Sequence, residues 1–231
     1  MTDLNDLDLH NVTINIPTDA QEILSTLEAD GRQAYVVGGC VRDSLIGRTP
    51  GDWDITTSAL PMQVKQLFRR TVDTGIKHGT VTVMMGDTGY EVTTYRIDGN
   101  YADGRHPDSV EFSANLRDDL KRRDFTINAM AYNNSDGLVD EFNGIGDLQA
   151  GIVRCVGDAR ERFTEDALRM MRAIRFSAQL GFTIDGSTWN AIKKLAPSIS
   201  KISMERVHVE LGKTLMSAHP DYVSELSLIH I

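Results

Sequence analysis

The stretch from residue 36 to residue 55 constrains the fold more than any other. It opens Val36-Val37-Gly38-Gly39-Cys40-Val41-Arg42-Asp43 and closes Gly51-Asp52-Trp53-Asp54-Ile55. An apolar run ended by two glycines, a short helical segment and a second strand with two carboxylates make a strand-turn-helix-strand unit. A helix entered through glycines leaves backbone N–H groups and the positive end of its dipole for a phosphate. Residues i and i+2 of a strand share a face, so Asp52 and Asp54 converge on one hard cation while Trp53 and Ile55 face the core. The stretch alone therefore implies a site for Mg²⁺ and a nucleoside triphosphate.

Composition limits what can surround that site. A chain of 231 residues suffices for one large or two modest domains. The net charge of −9 argues against a general nucleic-acid coat, so any polynucleotide contact is local. Cys40 and Cys155 stand in no metal-ligand or disulfide spacing, which makes a reduced cytoplasmic setting the expectation. The first ten residues are acidic and polar, and no apolar run approaches ~20 residues, so neither secretion nor membrane insertion is expected.

Along the chain, residues 1–17 read as a leader. Thr18 and Gln21 form a capping-box pattern ahead of Ile23, Leu24 and Leu27, and Gly31 stops that helix. A strand follows over 33–37. Ser58-Ala59-Leu60-Pro61 caps a helix reaching residue 70, and strands over 80–85 and 90–96 flank the turn residues Gly86-Asp87-Thr88-Gly89. Residues 97–115 form a long polar, glycine-rich loop, and loops of that size are more often functional than incidental. A helical pattern covers 116–132 and a strand 151–156. From residue 158 only helices are expected: 158–180 with a break near Phe163, 187–195 and 204–217. The change places a boundary near residue 157, giving an α+β domain over 18–157, a helical one over 158–220 and an atypical tail over 221–231.

Glu91 sits between Tyr90 and Val92, and period-2 geometry turns it to the face opposite those two. With Asp52 and Asp54 it makes three carboxylates on neighbouring strands. Such a set holds two Mg²⁺ ions, one activating a hydroxyl and one clamping a triphosphate. The competing reading of a bare Asp-x-Asp is a strand with a wet acidic face; the preceding Gly-Gly and Val-Arg-Asp weigh against it.

Two further motifs follow in order: Arg122-Arg123-Asp124-Phe125-Thr126-Ile127-Asn128-Ala129, and Glu165-Asp166-Ala167-Leu168-Arg169-Met170-Met171-Arg172. With Gly38-Gly39-Cys40-Val41-Arg42-Asp43 and Asp52-Trp53-Asp54 they resemble the signature of the polymerase-beta-type nucleotidyltransferases, specifically the class II CCA-adding enzymes and the similar bacterial poly(A) polymerases. The resemblance runs from about residue 34 to about residue 184. It implies a head of mixed sheet and helices followed by an all-helical neck, here C-terminally short. It implies contacts from Gly39 and Arg42 to the triphosphate, from Asp52 and Asp54 to the metals, and from Arg123 and Asp124 to the ribose. Asp166 and Arg169 would read the base, with Arg172 and Arg175 nearby in the nucleotide pocket. Residues 103–108 resemble the family's flexible loop.

On a helix, positions 166, 169, 172 and 175 form a polar stripe, with Leu168, Met171, Ile174 and Ala178 on another side. An Asp/Arg pair matches the Watson–Crick edges of cytosine and adenine, which share an amino donor beside a ring-nitrogen acceptor, and mismatches uracil and guanine. A solvated stripe of intrahelical ion pairs is the plainer alternative. The resemblance thus implies an enzyme adding C, C and A to the tRNA 3′ end from CTP and ATP. A poly(A) polymerase, a CC-only or A-only enzyme and a noncatalytic nucleotide-binding fragment remain alternatives. The short, acidic chain is expected to bind tRNA weakly, and its oligomeric state stays open.

Overall fold

The computed structural model describes residues 12–99 and 109–222. They fall into two compact units. The first takes residues 12–98, 109–123 and 128–144, and the second takes 99, 124–127 and 145–222. The second unit thus starts earlier than residue 157 and borrows four residues from the middle of the chain.

The first unit begins with α1 (Thr18–Ala29), which buries Ala20, Ile23, Leu24 and Leu27 completely. The capping box expected of Thr18 is absent. Pro17 takes the N-cap position and no side chain caps the helix, because the fixed φ of proline already makes the turn and puts Thr18 inside the helix. Next come β1 (Ala34–Val37), α2 (Gly39–Leu45), β2 (Ile55–Thr57), α3 (Pro61–Leu67) and β3 (Thr71–Gly75). β4 (Thr80–Met85) and β5 (Thr88–Thr94) form the expected hairpin on a tighter turn, with Met85 opposite Thr88 and Gly86 at φ 58°. A glycine with positive φ at the first central position is what a two-residue hairpin loop requires.

Beyond it, β6 (Arg96–Asp98) pairs antiparallel with β7 (Val110–Phe112). The flanks of the predicted 97–115 loop are therefore a ribbon, while the segment 103–108 lies outside the described residues. α4 (Leu116–Lys121) is followed by β8 (Met130–Asn133) and β9 (Gly137–Asp140). The helix expected over 116–132 therefore ends early. Residues 130–133 are buried throughout, and a strand covered on both faces carries no period-2 signal.

Seven strands make one mixed sheet in the order β3-β4-β5-β2-β1-β8-β9. β2 runs antiparallel to β1 and parallel to β5, with Ile55 opposite both Val36 and Val92. β1, β2 and β8 are buried along their whole length. The acidic approach to β2 thus emerges from the middle of the sheet, where its backbone is fixed on both sides.

In the second unit, α5 (Gly144–Ala150) leads into β10 (Ile152–Val153), then α6 (Ala159–Glu165), α7 (Leu168–Leu180), β11 (Thr183–Ile184), α8 (Gly186–Leu195) and α9 (Met204–Leu215). β10 and β11 form a short parallel pair, so the region is not purely helical. The break in the 158–180 helix falls at Asp166 and Ala167 rather than near Phe163. α7 is the unit's centre, burying Met170, Met171, Ala173, Ile174 and Phe176 on several sides, with Phe125 edge-on to Phe176 at 5.7 Å. No helix of the described residues is long and apolar enough to cross a membrane.

Candidate active site

Asp52, Asp54 and Glu91 line one cavity of about 460 Å³, with Trp53, Gly89 and Tyr90 in its wall. The two aspartates stand on the extended approach to β2, not in the strand itself. The ladder still reaches them, because the Val37 N–H donates to the Asp54 carbonyl at 3.0 Å. One step back along the Ile55–Val92 register brings Asp54 beside Glu91. Gly89 packs tightly on β4, since a Cβ there would stand 2.8 Å from the Thr82 methyl.

The carboxylates feel one another. The Asp54 carboxyl is raised, first by desolvation and also by Asp52, although Arg123 pulls it down. Glu91 is raised by desolvation, then by Asp54 and Asp52. Crowded carboxylates around a cavity have an unmet need for positive charge. Among the described residues no three His, Cys, Asp or Glu side chains stand close enough to hold a metal ion together. The residues nevertheless fit Mg²⁺, which keeps several waters and binds through one or two carboxylates plus substrate phosphates. Asp52 and Asp54 are the two that would hold it.

Gly38 has φ 84° and ψ −125°, and it opens α2. A Cβ on Gly38 would meet the Arg123 Nη1 at 3.0 Å, so this glycine serves both the turn and the approach of the guanidinium. Gly39 is the first residue of α2. Arg42 is buried, with Nη2 on Asp43 at 2.8 Å and Nη1 on the Asn128 side chain at 2.5 Å. Arg123 donates from Nη2 to Asp119 at 3.1 Å, and its Nε is buried without an acceptor.

In the second unit Asp124 is held by its own neighbours. Its Oδ2 receives Arg172 Nε at 2.7 Å and its Oδ1 the N–H of Phe125. Arg175 is buried, pairs with Glu210 at 2.6 Å and stacks on Phe176. Asp166 lies off the helix in the α6–α7 break. Its Oδ1 accepts from the Leu168 N–H at 3.0 Å and its Oδ2 from Arg206 at 2.7 Å. Arg169, on α7, pairs with Glu165 and donates to the Arg162 carbonyl at 3.2 Å. The single-helix stripe over 166–175 is therefore corrected to a capped break followed by a helix.

Sequence reasoning missed Asp119, Glu210 and Arg206. Asp119 had a signal, since it precedes Arg122 and Arg123 by three and four residues. Arg206 had none, lying forty positions from Asp166.

Residues 34–154 match the model of the poly(A) polymerase head domain. The chain belongs to the poly(A) polymerase head-domain family. A second model, a probable RNA- and SrmB-binding site of polymerase A, matches residues 181–226. The CCA-adding enzyme of Leuconostoc mesenteroides is 54% identical over 210 residues, covering 91% of the chain and 52% of that protein. The Lactiplantibacillus plantarum CCA-adding enzyme is 55% identical over 201 residues, covering 87% and 49%. The Bacillus stearothermophilus CCA-adding enzyme in complex with CTP superposes with TM-score 0.81 at 45% identity, covering 89% of the chain and 50% of that one. The Thermotoga maritima CCA-adding enzyme complexed with tRNA_CCA gives 0.75 at 26% identity, covering 91% and 50%. The chain spans about half the length of the curated relatives it matches.

Proposed function

We propose that this chain is the catalytic and nucleotide-selecting part of a cytoplasmic CCA-adding enzyme. It transfers C, C and A from CTP and ATP to the 3′ end of tRNA and releases pyrophosphate. The observation that carries the reading is the convergence of Asp52, Asp54 and Glu91 on one cavity, and relatives at about half identity bearing that name support it.

Asp52 and Asp54 would hold Mg²⁺, and bound there it would supply the charge that activates a 3′-hydroxyl and shields the triphosphate. Glu91 takes a proton at its carboxylate more readily than an ordinary glutamate, because desolvation and its two acidic neighbours raise it. Gly39 contacts the triphosphate through its backbone. Arg42, engaged by Asp43 and Asn128, contributes charge and holds that turn. Arg123 and Asp124 grip the ribose, and Arg172 holds Asp124 in place.

Asp166 and Arg169 read the base, with Arg172 and Arg175 shaping the nucleotide pocket. Both Asp166 oxygens already accept one hydrogen bond, and each keeps a second lone pair for an amino donor of cytosine or adenine. Against uracil or guanine a buried group goes unpaired, at about 1–3 kcal/mol.

The test is equilibrium binding of CTP, ATP, UTP and GTP to the 231-residue chain, with incorporation on tRNA lacking its CCA end and on a generic RNA. CTP and ATP are expected to bind about tenfold or more tighter than UTP and GTP. Equal binding of all four overturns the base reading. Long A tracts on generic RNA identify a poly(A) polymerase instead.

A further inference from the structure

A line of alternating charges runs through the first unit and ends at Arg123, beside Gly38. Arg96 Nη1 donates to the His78 carbonyl, which ends the 3-10 turn Ile76–His78. Arg96 Nε pairs with Asp98 Oδ1 at 2.8 Å, and Asp98 Oδ2 is 3.8 Å from Arg122. Arg122 grips Asp119 Oδ1 with Nε at 2.9 Å and Nη2 at 2.7 Å. Asp119 gives its other oxygen to Arg123. Arg123 in turn lies against Gly38 and acts electrostatically on Asp54.

Two features distinguish this line from ordinary surface pairing. Asp119 has no solvent exposure, and the Asp98 side chain is 6% exposed. Pairs so placed keep their electrostatic strength, and removing one partner leaves the other uncompensated. The second feature is the division of labour within Asp119. One oxygen is fixed by two donors of Arg122, so the direction of the other oxygen is set, and it carries Arg123. Arg123 keeps Nε buried without an acceptor, a donor that native interiors rarely leave unmet.

We propose that Asp119 and Asp98 are positioning residues: with Arg96 and Arg122 they hold the Arg123 guanidinium, whose side chain is 18% exposed, in the orientation that meets an oxygen of the incoming nucleotide. The β6–β7 ribbon is thereby part of the machinery that holds substrate, through Arg96 and Asp98. This inference rests on the reading that Arg123 contacts the nucleotide.

The test is a double-mutant cycle on CTP binding to the 231-residue chain, with MgCl₂ present throughout and thermal unfolding followed in parallel. R123A is expected to weaken CTP binding about tenfold or more, the loss of a charge-assisted hydrogen bond. D119N and D98N are expected to weaken it about threefold to tenfold alone and to add nothing in the R123A background, because they act through that residue. Should D119N fail to fold, the D98N arm of the cycle decides. Unchanged CTP affinity in R123A sinks the reading of Arg123 itself. Weakened binding in R123A with wild-type binding in D98N, or losses that add in the double variants, overturns the positioning role alone.

Discussion

Asp52 is exposed at the cavity and its neighbour Asp54 is pinned by its carbonyl, so the pair is placed by backbone rather than by a web of side chains. The D52A variant is therefore expected to unfold within about 2 °C of the parent while incorporation drops on the order of 10³-fold. Near-normal turnover by D52A in Mg²⁺ would refute the metal assignment. Arg175 behaves in the opposite way. It is buried against Glu210 and stacked on Phe176 at 4.1 Å, so E210A leaves a charge stranded in the core. Urea denaturation should register a loss of about 3–5 kcal/mol; a loss under ~1 kcal/mol would show that the pair is not a structural tie. These residues also mark how far sequence reasoning reaches. That Asp52, Asp54 and Glu91 share a cavity was legible from their local spacing, although the two aspartates stand before β2 and Trp53, expected in the core, lines the cavity with them. The true partners of Arg175 and Asp166 were not, because Glu210 and Arg206 come from α9 and spacing along α7 carries no trace of them.

At the scale of elements, α8 illustrates a cap with a pH signature. Asp185 accepts from the N–H groups of Ser187 and Thr188 and pairs with Arg154 at 2.7 Å. Desolvation alone would raise its carboxyl, but the Ser187 hydroxyl, these N–H groups and Arg154 outweigh it and hold the group below the usual range. A depressed carboxylate contributes stability that is complete above its unfolded value, ~3.9, and is lost as pH falls through the folded one. D185A is expected to cost about 1 kcal/mol near pH 7, and the gap between parent and variant should close below about pH 4. A gap independent of pH would show that cap charge is irrelevant. The elements legible in sequence were those with one wet face or sharp punctuation: α1, α3, the β4–β5 hairpin, α8 and α9, together with β1, which is buried throughout but ends in Gly38-Gly39. β8 was hidden by burial on both faces. β3 was hidden for the converse reason, since its middle residues Val72, Asp73 and Thr74 are all exposed and no apolar alternation exists to find.

For the molecule as a whole, charge decides more than shape. The net charge is −9, and the matched RNA-binding segment 181–226 holds five Lys or Arg against five Asp or Glu, so it offers no basic excess. Several cations are already committed: Arg206 to Asp166, and in the rest of the second unit Arg154 to Asp147 and Asp185, and Arg172 to Asp124. Affinity for polynucleotides comes chiefly from cations that displace condensed counterions, each adding about 0.7–0.9 to the salt slope. With few to spare, the chain is expected to bind tRNA no better than about 10⁻⁶ M, the range of nonspecific contacts, and with a shallow dependence on salt. Filter binding of tRNA to the 231-residue chain, measured from low to physiological salt against a generic RNA of equal length, checks both. Tight, tRNA-selective binding would mean that this surface recognises tRNA by shape or local contacts strong enough to overcome its own repulsion.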